Sequence, residues 1–83
     1  MSYYVYLITT TIKDKTISYV GYTNNLKKRL LAHNVGKGAK FTRGRKWKLI
    51  YKEKFTSKNK AILREYYIKN NRKIRNKIKY NCK

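Results

Sequence analysis

Residues 3–23 read YYVYLITTTIKDKTISYVGYT, and this stretch decides the fold. Tyr3 to Thr11 and Ile17 to Thr23 are rich in aromatic and β-branched residues, which suit a pleated, half-buried strand, and the polar Lys13-Asp14-Lys15 separates them. Two such runs joined by a short polar break predict a β-hairpin. Facing Cβ atoms of paired strands approach to around 5 Å, which makes Tyr6 and Tyr19 candidate neighbours.

Beyond the hairpin, Asn24 or Asn25 suits a helix N-cap, LKKRLLAHN has helical spacing, and Gly36 supplies a stop. The expected helix spans Leu26 to His33. On a 3.6-residue period Leu26, Arg29, Leu30 and His33 share one side, with Arg29 and His33 one turn apart at the edge of the apolar stripe. Residues 35–46 then form a loop carrying Gly36, Gly38 and Gly44 among Lys37, Lys40, Arg43, Arg45 and Lys46. Trp47 to Phe55 alternates and reads as a third strand. Ser57 can cap a second helix running to about Asn70, and Arg72 to Tyr80 continues helically with Ile74 and Ile78 on one side. The expected fold is α+β, in the order β-β-α-β-α-α, with helices packed on a small antiparallel sheet.

The 83 residues suit a single domain, with no proline, repeat or linker to mark a boundary. Lys and Arg number 23 against three acids, a formal net charge of +20. So strong a field favours a polyanionic partner, and nucleic acid is the commonest, because each neutralised phosphate releases condensed counterions. A membrane surface would need a helix with a bulky apolar face, which neither main helix has. Hydrophobic content of 41% and aromatic content of 14% argue against a disordered tail. The single cysteine, Cys82, excludes an internal disulfide and a cysteine-based zinc site. The opening MSYYVYLITTTIK lacks the basic start of a signal peptide and is too short to span a bilayer. A cytoplasmic setting, including the nucleoid or a virus-infected cytoplasm, is the expectation.

The acids are Asp14, Glu53 and Glu65. Two-metal hydrolysis needs several carboxylates, so this chain supports at most a lean site with one protein carboxylate on one cation. Glu65 is the candidate ligand, since the helical wheel places it beside Ala61 and Ile68 on the face turned toward the sheet. Spacing alone leaves a second reading open, an ion pair with Lys69 or Arg64. His33 likewise suits either a structural role or chemistry. Arg29 one turn away strengthens the second, because Arg grips phosphate bidentately and His exchanges protons near neutral pH. A tyrosine is a poor base at its ordinary pKa of about 10, but a neighbouring cation makes its phenolate more accessible.

Tyr4-Val5-Tyr6, Tyr19-Val20-Gly21 and Asn25-Leu26-Lys27-Lys28-Arg29 resemble the paired motifs that name the GIY-YIG nucleases, with Tyr4 in the place of the first glycine. His33 to Arg43 and Ala61-Ile62-Leu63-Arg64-Glu65 resemble later blocks of that family's small single-domain branch. The resemblance covers residues 3 to about 70, in order. It implies a three-stranded antiparallel sheet flanked by helices. It further implies that Glu65 binds one Mg²⁺ or Mn²⁺ ion, that Tyr6 and Tyr19 line the water and phosphate site, and that Arg29 and His33 contact and activate the phosphodiester. Gly21 would let the backbone turn closely beside the site.

The expectation is metal-assisted hydrolysis of DNA, with little sequence preference or with recognition of DNA shape, unless a partner protein directs it. Lys37, Lys40, Arg43, Arg45 and Lys46 would bind phosphates, and no organic cofactor is implied. The competing expectation is a non-catalytic nucleic-acid-binding module on the same scaffold.

Overall fold

A computed structural model describes residues 2–38, 42 and 44–81. The expected hairpin is formed by β1 (Tyr3–Ile12) and β2 (Lys15–Thr23), and its turn is tighter than the polar run suggested. Only Lys13 and Asp14 lie outside the strands, both at positive φ (47° and 70°), as a two-residue turn matched to strand twist requires. Lys15 is drawn into the ladder opposite Ile12.

The remaining elements are α1 (Leu26–Asn34), β3 (Lys48–Phe55), α2 (Lys58–Lys69) and α3 (Arg72–Asn81). The order is β-β-α-β-α-α, and the three strands form one antiparallel sheet in the order β2-β1-β3. Each boundary has a local cause. The Asn25 side chain accepts from the Lys28 N–H at 3.1 Å and starts α1. Lys37 N–H to Ala32 O at 2.8 Å and Gly36 N–H to His33 O at 3.4 Å close it around Gly36, whose φ of +80° is open to glycine without strain. The Ser57 hydroxyl starts α2 in the same way, accepting from Lys60 N–H.

With β1 in the centre and helices on both faces, Val5, Tyr6, Leu7 and Ile8 are all buried, a continuous run in place of alternation. On one face Val5, Leu7 and Val20 pack with Ala61 and Ile68 of α2 and with Ile74 and Ile78 of α3. On the other, Tyr6, Ile8 and Trp47 pack with Tyr19 and with Leu26 and Leu30 of α1. A bulge serves both layers. Leu7 pairs with Tyr51 but Ile8 pairs with Leu49, so Ile50 is an extra residue that sends Leu49 and Tyr51 to opposite faces. Truncating a residue as buried as Leu7 to Ala would cost about 2–5 kcal/mol. Among the described residues no helix is long and apolar enough to cross a membrane.

Candidate active site

Tyr6 and Tyr19 come together, but not as a facing pair. Tyr6 lies opposite Gly21, and Tyr19 lies opposite Ile8, so the two tyrosines are diagonal neighbours on the α1 face. Gly21 explains why they meet. A Cβ there would run into the Tyr6 hydroxyl and lie 2.7 Å from its Cζ, so the missing side chain is the slot through which the Tyr6 ring crosses β2. The expected close backbone turn is not what this glycine provides: it sits in mid-strand, and its role is to clear space for a ring.

Across that slot the Tyr6 hydroxyl meets α1. Arg29 Nε–H donates to its oxygen at 3.3 Å, and His33 Nε2 lies 2.7 Å away. Arg29 can only donate, so the phenol's own proton is available for Nε2. The neutral imidazole then carries its proton on Nδ1 and donates it to Thr42 Oγ1 at 2.9 Å. Arg29 also lies close enough to Tyr19 for the two to interact, and the Tyr19 ring stands edge-on to His33 at 5.2 Å between centroids.

Burial sets the protonation states. His33 is 0% exposed, and desolvation, helped by the Arg29 charge, pushes its pKa below the ordinary value and holds the ring neutral. Both of its ring nitrogens are engaged within the protein. His33, sealed on all sides, offers no ring nitrogen to the surface; what it reaches is the Tyr6 hydroxyl, which in turn accepts from Arg29. For Tyr6 the expectation that a neighbouring cation eases ionisation is corrected. Burial raises its pKa by more than the Arg29 hydrogen bond and charge lower it, so the phenol keeps its proton near neutrality.

Glu65 reaches this cluster from the other helical layer. Ala61 and Ile68 bury against the sheet and leave half-buried Glu65 and exposed Lys69 on the flank of α2 that runs beside β2. Lys69 Nζ stands 6.0 Å above the Tyr19 ring, and the Glu65 charge is near enough to act on Tyr6. The alternative pairing with Arg64 does not form, because Arg64 turns to the opposite flank and forks onto Glu53 at 2.8 and 2.9 Å. Glu53 also accepts from the Tyr51 hydroxyl, and these donors hold its carboxyl below the usual range although burial works the other way. Among the described residues no hydrogen bond or ion pair engages the Glu65 carboxylate, and no three metal-ligating side chains cluster. The donor set suits a cation that keeps most of its water and substrate oxygens, as Mg²⁺ does.

Of the basic loop, Lys37 and Lys46 are exposed and Arg45 is half-buried, while Lys40 and Arg43 lie outside the described residues. The sequence reading missed what holds this loop. Asn34 Oδ1 accepts from Trp47 N–H at 2.6 Å, Trp47 Nε1–H donates to Thr42 O at 2.9 Å, and Thr42 receives His33. A Cβ on Gly38 would lie 3.0 Å from His33 Cα, so this glycine lets the loop seal the histidine. The sequence reading named Lys69 only as a possible ion-pair partner of Glu65 and passed over Arg75, yet both line a groove with Thr16, Ser18 and Tyr19 along the edge of β2. The i+4 spacing from Glu65 was a usable signal for Lys69. Arg75 arrives only through the turn into α3, where its guanidinium caps the Ile68 and Lys69 carbonyls.

Comparison with known proteins agrees with this geometry. The family described as GIY-YIG catalytic domain matches residues 2–81. UPF0213 protein CPE1444 of Clostridium perfringens is 55% identical over 67 residues, covering 80% of this chain and 69% of that protein. A UPF0213 protein of Lactiplantibacillus plantarum is 44% identical over 81 residues, covering 94% and 76%. The solution structure of the UPF0213 protein BH0048 from Bacillus halodurans superposes with a TM-score of 0.55 at 38% identity, covering 94% of this chain and 82% of that one. The chain thus belongs to the GIY-YIG nuclease family, in its small UPF0213 branch.

Proposed function

We propose that this domain hydrolyses DNA phosphodiester bonds with the help of one divalent cation. The observation that carries the reading is the meeting of Tyr6, Tyr19 and Arg29 with a carboxylate, Glu65, that has no protein cation as partner among the described residues despite a net charge of +20. A half-buried acid surrounded by so many bases is kept unpaired at some cost unless a cation binds it. Glu65 would hold that ion, Mg²⁺ or Mn²⁺, which supplies positive charge toward the leaving oxygen when bound.

The protein groups divide the work by exposure. Tyr19, half-buried and on the edge strand, faces incoming water and phosphate; Tyr6, at 2% exposure, does not. In the proposed step the water oxygen bonds to phosphorus and the bond from phosphorus to the leaving sugar oxygen breaks. The water proton passes to the Tyr19 oxygen as the phenolic proton leaves to solvent, and the leaving oxygen takes up a proton. Arg29 neutralises charge developing on the phosphate and is itself held in place by the Tyr6 oxygen. His33 and Thr42 fix Tyr6 from behind. The surrounding lysines and arginines, Lys37, Lys46 and Lys69 among them, supply sequence-independent affinity for the strand. Nicking of a supercoiled plasmid with and without Mg²⁺ or Mn²⁺ tests the reading: metal-dependent nicking supports it, and binding without cleavage under either metal rejects it in favour of a binding module.

A further inference from the structure

Helix α2 is apolar on two sides. Its inner side is the Ala61 and Ile68 stripe in the core. Its outer side carries Ile62, Leu63, Tyr66 and Tyr67 over successive turns, with Tyr66 67% and Tyr67 49% exposed, which corrects the expectation that neither main helix has a bulky apolar face. A helix apolar on both sides ordinarily has both sides covered. The exposed Leu31 of α1 and Val35 just beyond its end form no comparable run.

The charges on α2 select the occupant. Exposed Lys58, Lys60 and Lys69 frame the outer side, and the Arg64 guanidinium lies 5.3 Å from the centre of the Tyr67 ring. A second copy of the chain would bring another +20 against this surface, whereas a polyanion is drawn to it. Rings interleaved with cations match a nucleic-acid strand, the cations taking phosphates and the rings taking base faces. A duplex cannot use such rings, because its base faces are already stacked within the helix. Tyr66 follows Glu65 in α2 but sits about 100° round the helix, so a strand whose phosphate lies at Glu65 reaches this side by curving around α2.

We propose that the outer side of α2 is a stacking surface, centred on Tyr66 and Tyr67, for unpaired bases of the strand being cut, and that the substrate class is therefore single-stranded or frayed DNA. This rests on the nuclease reading for the word substrate, but its test does not use cleavage. Fluorescence anisotropy in EDTA would compare a labelled single strand with the same sequence as a duplex, on wild type, the Tyr66→Ala/Tyr67→Ala pair and the Tyr66→Phe/Tyr67→Phe pair. The Ala pair should lose roughly tenfold or more in single-strand affinity and stay within about twofold on the duplex. The Phe pair keeps the rings and should match wild type. Because no charge is removed, the plots of log affinity against log salt should shift in parallel for the Ala pair.

Both positions are exposed, so the variants should fold, and circular dichroism checks this. Unchanged single-strand affinity in a folded Ala pair, or an equal loss on both DNAs, overturns the proposal. So does a wild-type dimer in light scattering that the Ala pair splits, since the face would then belong to a second copy. A wild type that never nicks DNA with metal defeats the nuclease reading alone, and leaves the binding result to decide this one.

Discussion

Replacing Gly21 with Ala isolates the slot on which the tyrosine pair depends. The glycine lies within β2, so the backbone accepts alanine and only the new methyl matters. It would overlap the Tyr6 hydroxyl and lie 2.7 Å from Tyr6 Cζ, where ordinary van der Waals separation begins at 3.4 Å, so the ring must retreat by at least about 0.7 Å, the difference between those two distances. A retreat of that size strains the 2.7 Å bond to His33 Nε2, and the fully buried imidazole has no water to replace it. Overpacking costs about 1–3 kcal/mol and an unpaired buried polar atom a similar amount, so a total of about 2–6 kcal/mol is expected. In a domain of this size that lowers Tm by roughly 8 °C or more. The assay is urea and thermal unfolding of wild type, Gly21→Ala, Tyr6→Leu and the double variant. Leu at position 6 withdraws the hydroxyl and Cζ, so the added methyl should then cost under about 0.5 kcal/mol, giving a coupling of about 2 kcal/mol or more. An equal cost on both backgrounds, or a Gly21→Ala variant as stable as wild type, would refute the slot.

Tyr6→Phe and Tyr19→Phe should part company. Each removes one hydroxyl, yet Tyr6→Phe also strands buried His33 Nε2 and should lose about 1–3 kcal/mol of stability, while Tyr19→Phe should stay near wild type and lose cleavage by about two orders of magnitude or more. Equal stabilities, or full cleavage by Tyr19→Phe, would reverse this division. His33 is the chain's one histidine, and its folded pKa lies below the unfolded value of 6.5, so the unfolded state binds the proton first on acidification. Its contribution is complete above that value and drains away as pH falls through 6.5, no more steeply than about 1.4 kcal/mol per pH unit. The urea midpoint of wild type should fall from pH 7.5 to 5.5, and an unchanged slope in His33→Gln would assign it elsewhere. Neutralising exposed Lys37 and Lys46 with Gln should reduce the salt slope of DNA binding by about 1 for each phosphate no longer neutralised and leave stability alone; an unaltered slope would remove them from the interface.

How far the residues alone could be read follows from the reach of each signal. Turn, caps and strand character are local, so the hairpin at Lys13-Asp14, the Asn25 cap and the Ser57 cap lay within a few residues of their expected places. That Glu65 lies half-buried on the flank beside the Ala61 and Ile68 stripe needed only helical periodicity. What periodicity cannot carry is register across strands. Tyr6 opposite Gly21 is a one-residue matter that reverses the meaning of the glycine, from a turn to a slot. Nor does wheel position reveal depth: His33 and Arg29 share a side of α1, yet one is sealed by Thr42 and Gly38 and the other is half-buried. The Glu53 and Arg64 pair joins β3 to α2 over eleven residues, and no spacing rule singles it out from the other bases.

Glu65→Gln bears most directly on the central claim, because it keeps the volume of the side chain and removes only the charge that would hold a cation. The measurement is plasmid nicking across a Mg²⁺ and Mn²⁺ titration, alongside DNA binding in EDTA. Glu53→Gln is the control: it also removes an acid, but one paired with Arg64 and Tyr51, and should cost about 1 kcal/mol of stability with cleavage intact. For Glu65→Gln the account predicts a folded protein, chelator-insensitive DNA binding as tight as wild type or tighter, and no nicking at any metal concentration. Undiminished metal-dependent nicking by that folded variant would contradict it.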